Sequence, residues 1–474
     1  MAGWHCSSRP PFAPNWCEPL YSSHRIMVEQ VATSSGYSTT ASRGSLSSRT
    51  RRSFTPLRNR SINTWHRTTA CSFQIPIDAG AAQRREGIPD AVTTEDAKRP
   101  RLGLAASGGG VRAAAFHAGV LKYLAEQSLL ERVQHISSVS GGSLFVGLVM
   151  CRAGYKWPTS QEYTERVYNE VKCTLTTTSL QLSGALRLIF NPLNWRFALS
   201  RANILERTIW TVWGIKEPLS SIRGGPVWSI NGTTAETGRR FRFKNGGFGD
   251  YELGYAHAGA LSLASALAVS AAFPGGIGPL SVKTHRFAWK KSTEWDLDAV
   301  PIDMKPHFKR LHLYDGGVYD NLGIEPLFDC GTQRFKKGRD TPIIDHLIVS
   351  DAGAPFARAR ISHPLNPARF KRIADIALDQ TRALRVRSLS NFLINNPGAG
   401  LYLQIGAGAL AQIKKFGPGR PAQAALLAGE WLDTTMVKEA AAIPTSLKRL
   451  SEKEFNLLSQ HGYETARWNS ELWR

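Results

Sequence analysis

Residues 102–106, Leu-Gly-Leu-Ala-Ala, are a short apolar run that meets Ser107-Gly108-Gly109-Gly110, and apolar positions then recur with a helical period from about Arg112 to Gln127. A second run, His135 to Val139, meets Ser140-Gly141-Gly142 and passes into an apolar helix through about Met150. Strand, glycine turn and helix, twice in succession, predict an α/β sheet with parallel strands, because a helical crossover is what returns the chain to start a neighbouring parallel strand. Further strands are expected at Arg310 to Tyr314 and at Ile343 to Ser350. Each ends in an acid followed closely by glycine: Asp315-Gly316-Gly317 and Asp351-Ala352-Gly353. In such sheets ligands bind beyond the carboxyl ends of the strands, which is where both glycine turns fall.

The remaining segments have a different texture. Leu253 to Val282 carries no charged side chain but is dominated by Ala, Gly and Ser, so its helical part reads as a buried helix rather than a membrane span. Leu180 to Ile215 holds Ile189, Phe190, Trp195, Phe197, Trp210 and Trp213 among Arg187, Arg196, Arg201 and Arg207, with Glu206 its one acid. That mixture suits either an interfacial surface or lid, or a helical cap whose aromatics are core. Residues 369–387 read as an amphipathic helix with Phe370, Ile373, Ala377 and Leu384 at helical spacing and six Lys or Arg against Asp375 and Asp379. Residues 1–75 hold nine Arg, two Glu and neither Lys nor Asp in a Ser/Thr-rich text without a period, which predicts a disordered leader. A transit-like peptide or a later start at Met27 are the alternatives.

The 474 residues, 42% hydrophobic and 20% charged, are enough to bury a substantial core. The net charge of +22 points to an anionic partner, nucleic acid or an acidic membrane surface. Of that charge +16 lies from residue 101 onward, so it belongs chiefly to the folded part rather than to the leader. No nucleic-acid-binding signature accompanies it, which favours the membrane surface and leaves no specific nucleic acid expected. Cys6, Cys17, Cys71, Cys151, Cys173 and Cys330 stand too far apart for a disulfide framework or a zinc module and agree with a reducing compartment. With no secretory signal in view, the expected location is cytoplasmic, with peripheral membrane contact.

Ser138-Val139-Ser140-Gly141-Gly142 has the spacing of a strand-to-helix turn that exposes a nucleophile, since such a turn needs small residues two positions before and after the nucleophile. Ser138 and Gly142 meet that need, and the following helix directs its amide dipoles at the Ser140 hydroxyl. Taken alone, a Ser-Gly-Gly turn is a helix N-cap more often than a nucleophile. Gly108-Gly109-Gly110-Val111-Arg112 lets consecutive amides converge on an anion, either a bound phosphate or a developing oxyanion. A dinucleotide fingerprint would use Gly108, Gly110 and Ala113, but it expects an acid at the end of the next strand, where Ser140 stands. Asp315 is a candidate base, because a carboxylate touching the serine in a poorly hydrated cleft has its pKa raised toward the working range. Asp351 is the second candidate, and His117 reads as a packing or loop-supporting group.

In this order, Gly108 to Arg112, the elbow at 138–142 and Asp315-Gly316-Gly317, together with Ala271-Ala272-Phe273-Pro274, resemble the patatin-like phospholipase family over about residues 100–355. The resemblance implies a three-layer α/β/α fold with a mainly parallel central sheet, a long helical insertion at about 155–250 and a catalytic domain at 99–355. A leader of 1–98 would precede it, and a helical, basic C-terminal extension of 356–474 would follow. It implies ester hydrolysis on phospholipid or other acyl-ester lipids by a Ser-Asp dyad, with neither metal nor organic cofactor. Ser140 would be the nucleophile and Asp315 the base. Gly108, Gly109, Gly110 and Val111 would form the oxyanion loop, with Arg112, Ser138, Gly142, Gly316 and Gly317 in support. Arg112 could steady the loop, meet a phosphate head group, or be a surface arginine that caps nothing. Two positions depart from the family pattern: Ala113 replaces a further glycine, and Ser138 replaces the first glycine of the elbow. The rival readings are a catalytically silent lipid-binding or scaffold protein on the same fold, and a nucleotide-binding protein.

Overall fold

The computed structural model describes residues 100–473, apart from 198–199, 245, 260, 275, 292–300, 339–340 and several positions between 357 and 367. The leader lies outside the described residues. A sheet of 12 strands organises the rest. We number them β1 (Leu102–Ala106), β2 (Val133–Val139), β3 (Val227–Thr234), β4 (Arg240–Lys244), β5 (Gly247–Asp250), β6 (Gly254–His257), β7 (Leu280–Lys283), β8 (Trp289–Lys291), β9 (Ile302–Met304), β10 (Arg310–Asp315), β11 (His346–Asp351) and β12 (Gly400–Gln404). The strands that carry the site run in the order β12-β11-β1-β2-β3, all parallel, as the two glycine turns predict. Beyond β3 the sheet continues through β4, β5, β6, β8 and β9, all antiparallel.

The parallel strands are buried on both faces, so they read as continuous apolar runs rather than alternating ones. Leu102, Leu104 and Ile348 pack into the core on one face, with α1 (Gly110–Glu126) and α2 (Gly141–Arg152). Ala105, Leu347 and Val349 pack on the other, with Leu389 and Phe392 of the long helix α7 (Ala368–Asn395). Sheet between two helical layers is the three-layer α/β/α fold.

After α2 the chain leaves the sheet for a run of helices that includes α3 (Tyr168–Thr177), α4 (Leu180–Phe190) and α5 (Ala202–Val212). It returns at Val227, so Val227 to Asp250, assigned from sequence to the insertion, are three strands of the sheet. The charge-free stretch supplies α6 (Leu263–Ser270), buried along its whole length. Among the described residues, no helix is long and apolar enough to cross a membrane. The C-terminal segment adds edge strand β12 and ends in α8 (Glu452–Leu472), which packs on α1. A capping box starts α8: the Glu454 amide donates to the Ser451 hydroxyl (3.2 Å) and the Ser451 amide to the Glu454 carboxylate (2.7 Å).

Candidate active site

Strand β2 ends at Val139 and α2 begins at Gly141, which leaves Ser140 as the whole turn, with φ 51° and ψ −118°. A non-glycine residue held there costs about 1–3 kcal/mol and persists only where the surroundings enforce it. Enforcement comes from close approach. A Cβ on Gly142 would lie 2.3 Å from the Ala106 carbonyl oxygen and one on Gly141 2.2 Å from that of Gly110, so α2 can start this close to β1 and the glycine loop only with hydrogen at both positions. The Ser140 side chain is left half-exposed.

The register of β3 explains how Asp315 reaches Ser140. On one edge β3 pairs with β4 at both Asn231 and Gly232. On the other edge Asn231 pairs with Val139, the last residue of β2, and Gly232 pairs with Asp315, the last residue of β10. Strand β10 therefore takes over the edge that β2 vacates at the elbow, and the carboxylate arrives beside the hydroxyl. The Ser140 side chain lies against the Asp315 carboxyl, whose Oδ1 accepts the Gly317 amide at 2.7 Å. Burial, only partly offset by the Gly317 amide and the Ser140 side chain, pushes the Asp315 carboxyl up to about 7. The buried histidines are engaged elsewhere: His135 with Ser229, His461 with the Gly406 amide, and His117 as described next.

Facing the elbow is the Gly108–Arg112 loop. The Gly108 amide donates to the Asn321 carbonyl (3.1 Å) and the Val111 amide to the Ser446 carbonyl (3.0 Å). The amides of Gly109, Gly110 and Gly141 have no acceptor among the described residues. Of the four loop positions expected to hold an oxyanion, Gly109 and Gly110 thus have amides to offer, and Val111 spends its amide on the C-terminal segment.

Arg112 turns inward rather than to a head group: it is buried, donating to the carbonyls of Ile443 and Ala352 at 2.9 Å each, and its pKa is lowered to about 10 by burial. His117 Nε2 donates to the Ser107 carbonyl (3.0 Å), which leaves Nδ1 to accept from the Ser350 hydroxyl (2.7 Å). Burial lowers this ring to about 4, so it stays neutral and tethers the loop to β11.

Behind the elbow lies a relay that the sequence reading missed. Trp228 Nε1 donates to Ser138 Oγ (2.8 Å), Ser138 joins Ser143 (2.8 Å), Ser143 joins Ser270 (2.8 Å), and Ser270 donates to the Asn231 carbonyl (2.7 Å). Indole N–H only donates and carbonyl only accepts, so every hydroxyl in this chain points one way. Ser270 Oγ also accepts the Ser140 amide (3.0 Å), while its carbonyl accepts the Gly316 amide (3.4 Å). One serine of α6 thereby holds the backbone on both sides of the Ser140–Asp315 pair. Ser270→Ala orphans the Ser140 amide and the Ser143 hydroxyl, and is expected to lower stability by about 1–3 kcal/mol in chemical denaturation.

The second acid has another occupation. Asp351 accepts from Arg382 of α7, from the Tyr402 hydroxyl (2.5 Å) and from the Gly353 amide (3.0 Å). Arg385, one turn on, lies 3.5 Å from buried Asp320. Two arginines of the basic helix therefore neutralise buried carboxylates. The 180–215 segment divides between its two readings: Trp213 is buried, whereas Ile189, Phe190, Trp195 and Trp210 are exposed.

A parallel α/β sheet whose serine elbow meets a carboxylate at one side and free glycine amides at the other defines the class of fold and site. Residues 104–328 match the family model described as patatin-like phospholipase. No curated protein matches it. Among solved structures it is similar to human GIVD cytosolic phospholipase A2, at 14% identity over 78% of this chain and 61% of that one, with a TM-score of 0.45. VipD from Legionella pneumophila follows at 12% identity over 78% of this chain and 86% of that one, with a TM-score of 0.25.

Proposed function

We propose that the protein is a lipid acyl hydrolase, of phospholipase A or lysophospholipase type, that works through an acyl-enzyme on Ser140 with Asp315 as its base. The observation that carries this reading is the placement, by the register of β3, of the Ser140 side chain beside a buried carboxyl whose pKa is pushed up to about 7. A carboxylate of ordinary acidity would be too weak a base for a serine hydroxyl, and burial supplies the difference.

In the cycle, Ser140 Oγ bonds to the ester carbonyl carbon as its proton passes to Asp315. The amides of Gly109, Gly110 and Gly141 hold the oxyanion. Collapse breaks the acyl C–O bond, and the departing alcohol takes the proton from Asp315. Water then attacks the acyl-enzyme, giving a proton to Asp315, and the fatty acid leaves as Ser140 recovers that proton. Incubation with vesicles of mixed phospholipid and lysophospholipid, read by mass spectrometry, is expected to show free fatty acid accumulating. A folded protein that releases none from any ester class would leave the silent-scaffold reading in its place.

A further inference from the structure

We infer that α4 and the turn after it, Pro192–Phe197, form a docking surface for an anionic lipid bilayer; the inference rests on the lipid hydrolase reading. On α4 the usual pattern is inverted: Leu180 alone is buried, while Leu182, Leu186, Ile189 and Phe190, at i, i+4, i+7 and i+8, share one outward stripe. Phe190, at the end of α4, is 77% exposed, and the turn adds Leu193 and Trp195, 71% and 61% exposed. A soluble surface seldom carries so contiguous an apolar strip without a use for it.

The charge around the strip selects the partner. Arg187, Arg196 and Arg207 lie beside it, Arg207 donating to Asn194 Oδ1 (2.6 Å) and both Arg196 and Arg207 stacking on Phe197, and the segment's one acid, Glu206, accepts from Ser262 (3.2 Å) and Ser265 (2.5 Å). Large apolar side chains with arginines and no outward carboxylate match the acyl–headgroup boundary of a bilayer containing acidic lipid.

Position supports the same use. At the start of α4 the Gln181 amide donates to the Leu447 carbonyl (3.0 Å), next to Ser446, which accepts the Val111 amide of the glycine loop. Past the turn, Ser200 Oγ donates to the Pro279 carbonyl, in the loop whose Ala272 carbonyl accepts the Asp315 amide (3.1 Å). Both ends of the segment are thus anchored on stretches that also hold the site, Leu447 beside Ser446 at one end and Pro279 after Ala272 at the other.

The test is flotation of the full chain with phosphatidylcholine vesicles, with and without one quarter phosphatidylserine, for the wild type, Ser140→Ala and the triple variant Phe190→Ser, Leu193→Ser, Trp195→Ser. All three substituted side chains are exposed, so an unchanged melting temperature is expected. The wild type and Ser140→Ala should float with the acidic vesicles, and the triple variant should lose about tenfold or more in binding while retaining turnover of a water-soluble short-chain ester. Equal binding by the triple variant, or no flotation of the wild type, would overturn the assignment. So would a wild-type dimer that the triple variant converts to monomer without any vesicle binding, since the strip would then be an interface between copies. Flotation is read without turnover: absence of ester hydrolysis with normal flotation would remove the hydrolase reading alone.

Discussion

Ser140→Ala is expected to reduce fatty-acid release by about 10⁵-fold, the scale of loss when the attacking atom of an acyl-enzyme mechanism is removed. No neighbouring hydroxyl can substitute for it. Ser138, Ser143 and Ser270 are buried behind the elbow, with every proton already directed along the relay to the Asn231 carbonyl. The fold should persist, because the Ser140 side chain is half-exposed and the relay bonds its amide rather than its hydroxyl. A large residual rate in a well-folded Ser140→Ala protein would mean that the ester is cleaved elsewhere.

The second large effect belongs to Asp315→Asn, expected to lower turnover by about 10³-fold. In the wild type the rate should rise with pH through about 7, because Asp315 has to be unprotonated to accept the serine proton. Asp315→Asn should lose that limb of the profile.

Stability should respond in the opposite sense. A carboxyl raised above its unfolded value binds its proton more tightly when folded, so its contribution is fully present below about pH 4 and is lost as pH rises through about 7. At pH 8 the wild type bears the cost of a buried charge, on the order of a few kcal/mol, and Asp315→Asn removes it. Higher melting temperature at pH 8 together with lost turnover is the combined signature. A merely structural aspartate would lose both.

The parts of the site legible in the sequence were those made by local backbone geometry. Both glycine turns follow short apolar runs, and the elbow's demand for small flanking residues can be checked by spacing alone, which placed Ser140, Gly142 and the Gly108–Arg112 loop. The limits of β1 agree with the apolar run to the residue, and β2 begins only two residues earlier than its reading. Contacts made across the fold were not legible. Ser270 is one serine within an Ala-rich run, and nothing local marks it as the acceptor of the Ser140 amide. Periodicity gave a charged face for the 369–387 helix but could not say that Arg382 and Arg385 meet buried Asp351 and Asp320. Arg112 was read as steadying the loop, meeting a head group or lying on the surface; it is buried instead, on the carbonyls of Ile443 and Ala352, contacts that only the fold brings together. The antiparallel strands were missed for a different reason. Arg240-Phe241-Arg242-Phe243-Lys244 alternates cleanly, with both Phe buried, and the signal was present within a segment taken as an insertion.

The most direct test of the dyad is covalent labelling with a fluorophosphonate, which reacts with a serine only where a base has activated it and an oxyanion pocket receives the phosphonyl oxygen. Intact-mass analysis followed by peptide mapping should find one adduct per chain, on Ser140. The adduct should be absent from Ser140→Ala and should form much more slowly on Asp315→Asn. An unlabelled wild-type protein with its fold intact, or an adduct on any other residue, would contradict the assignment of Ser140 and Asp315.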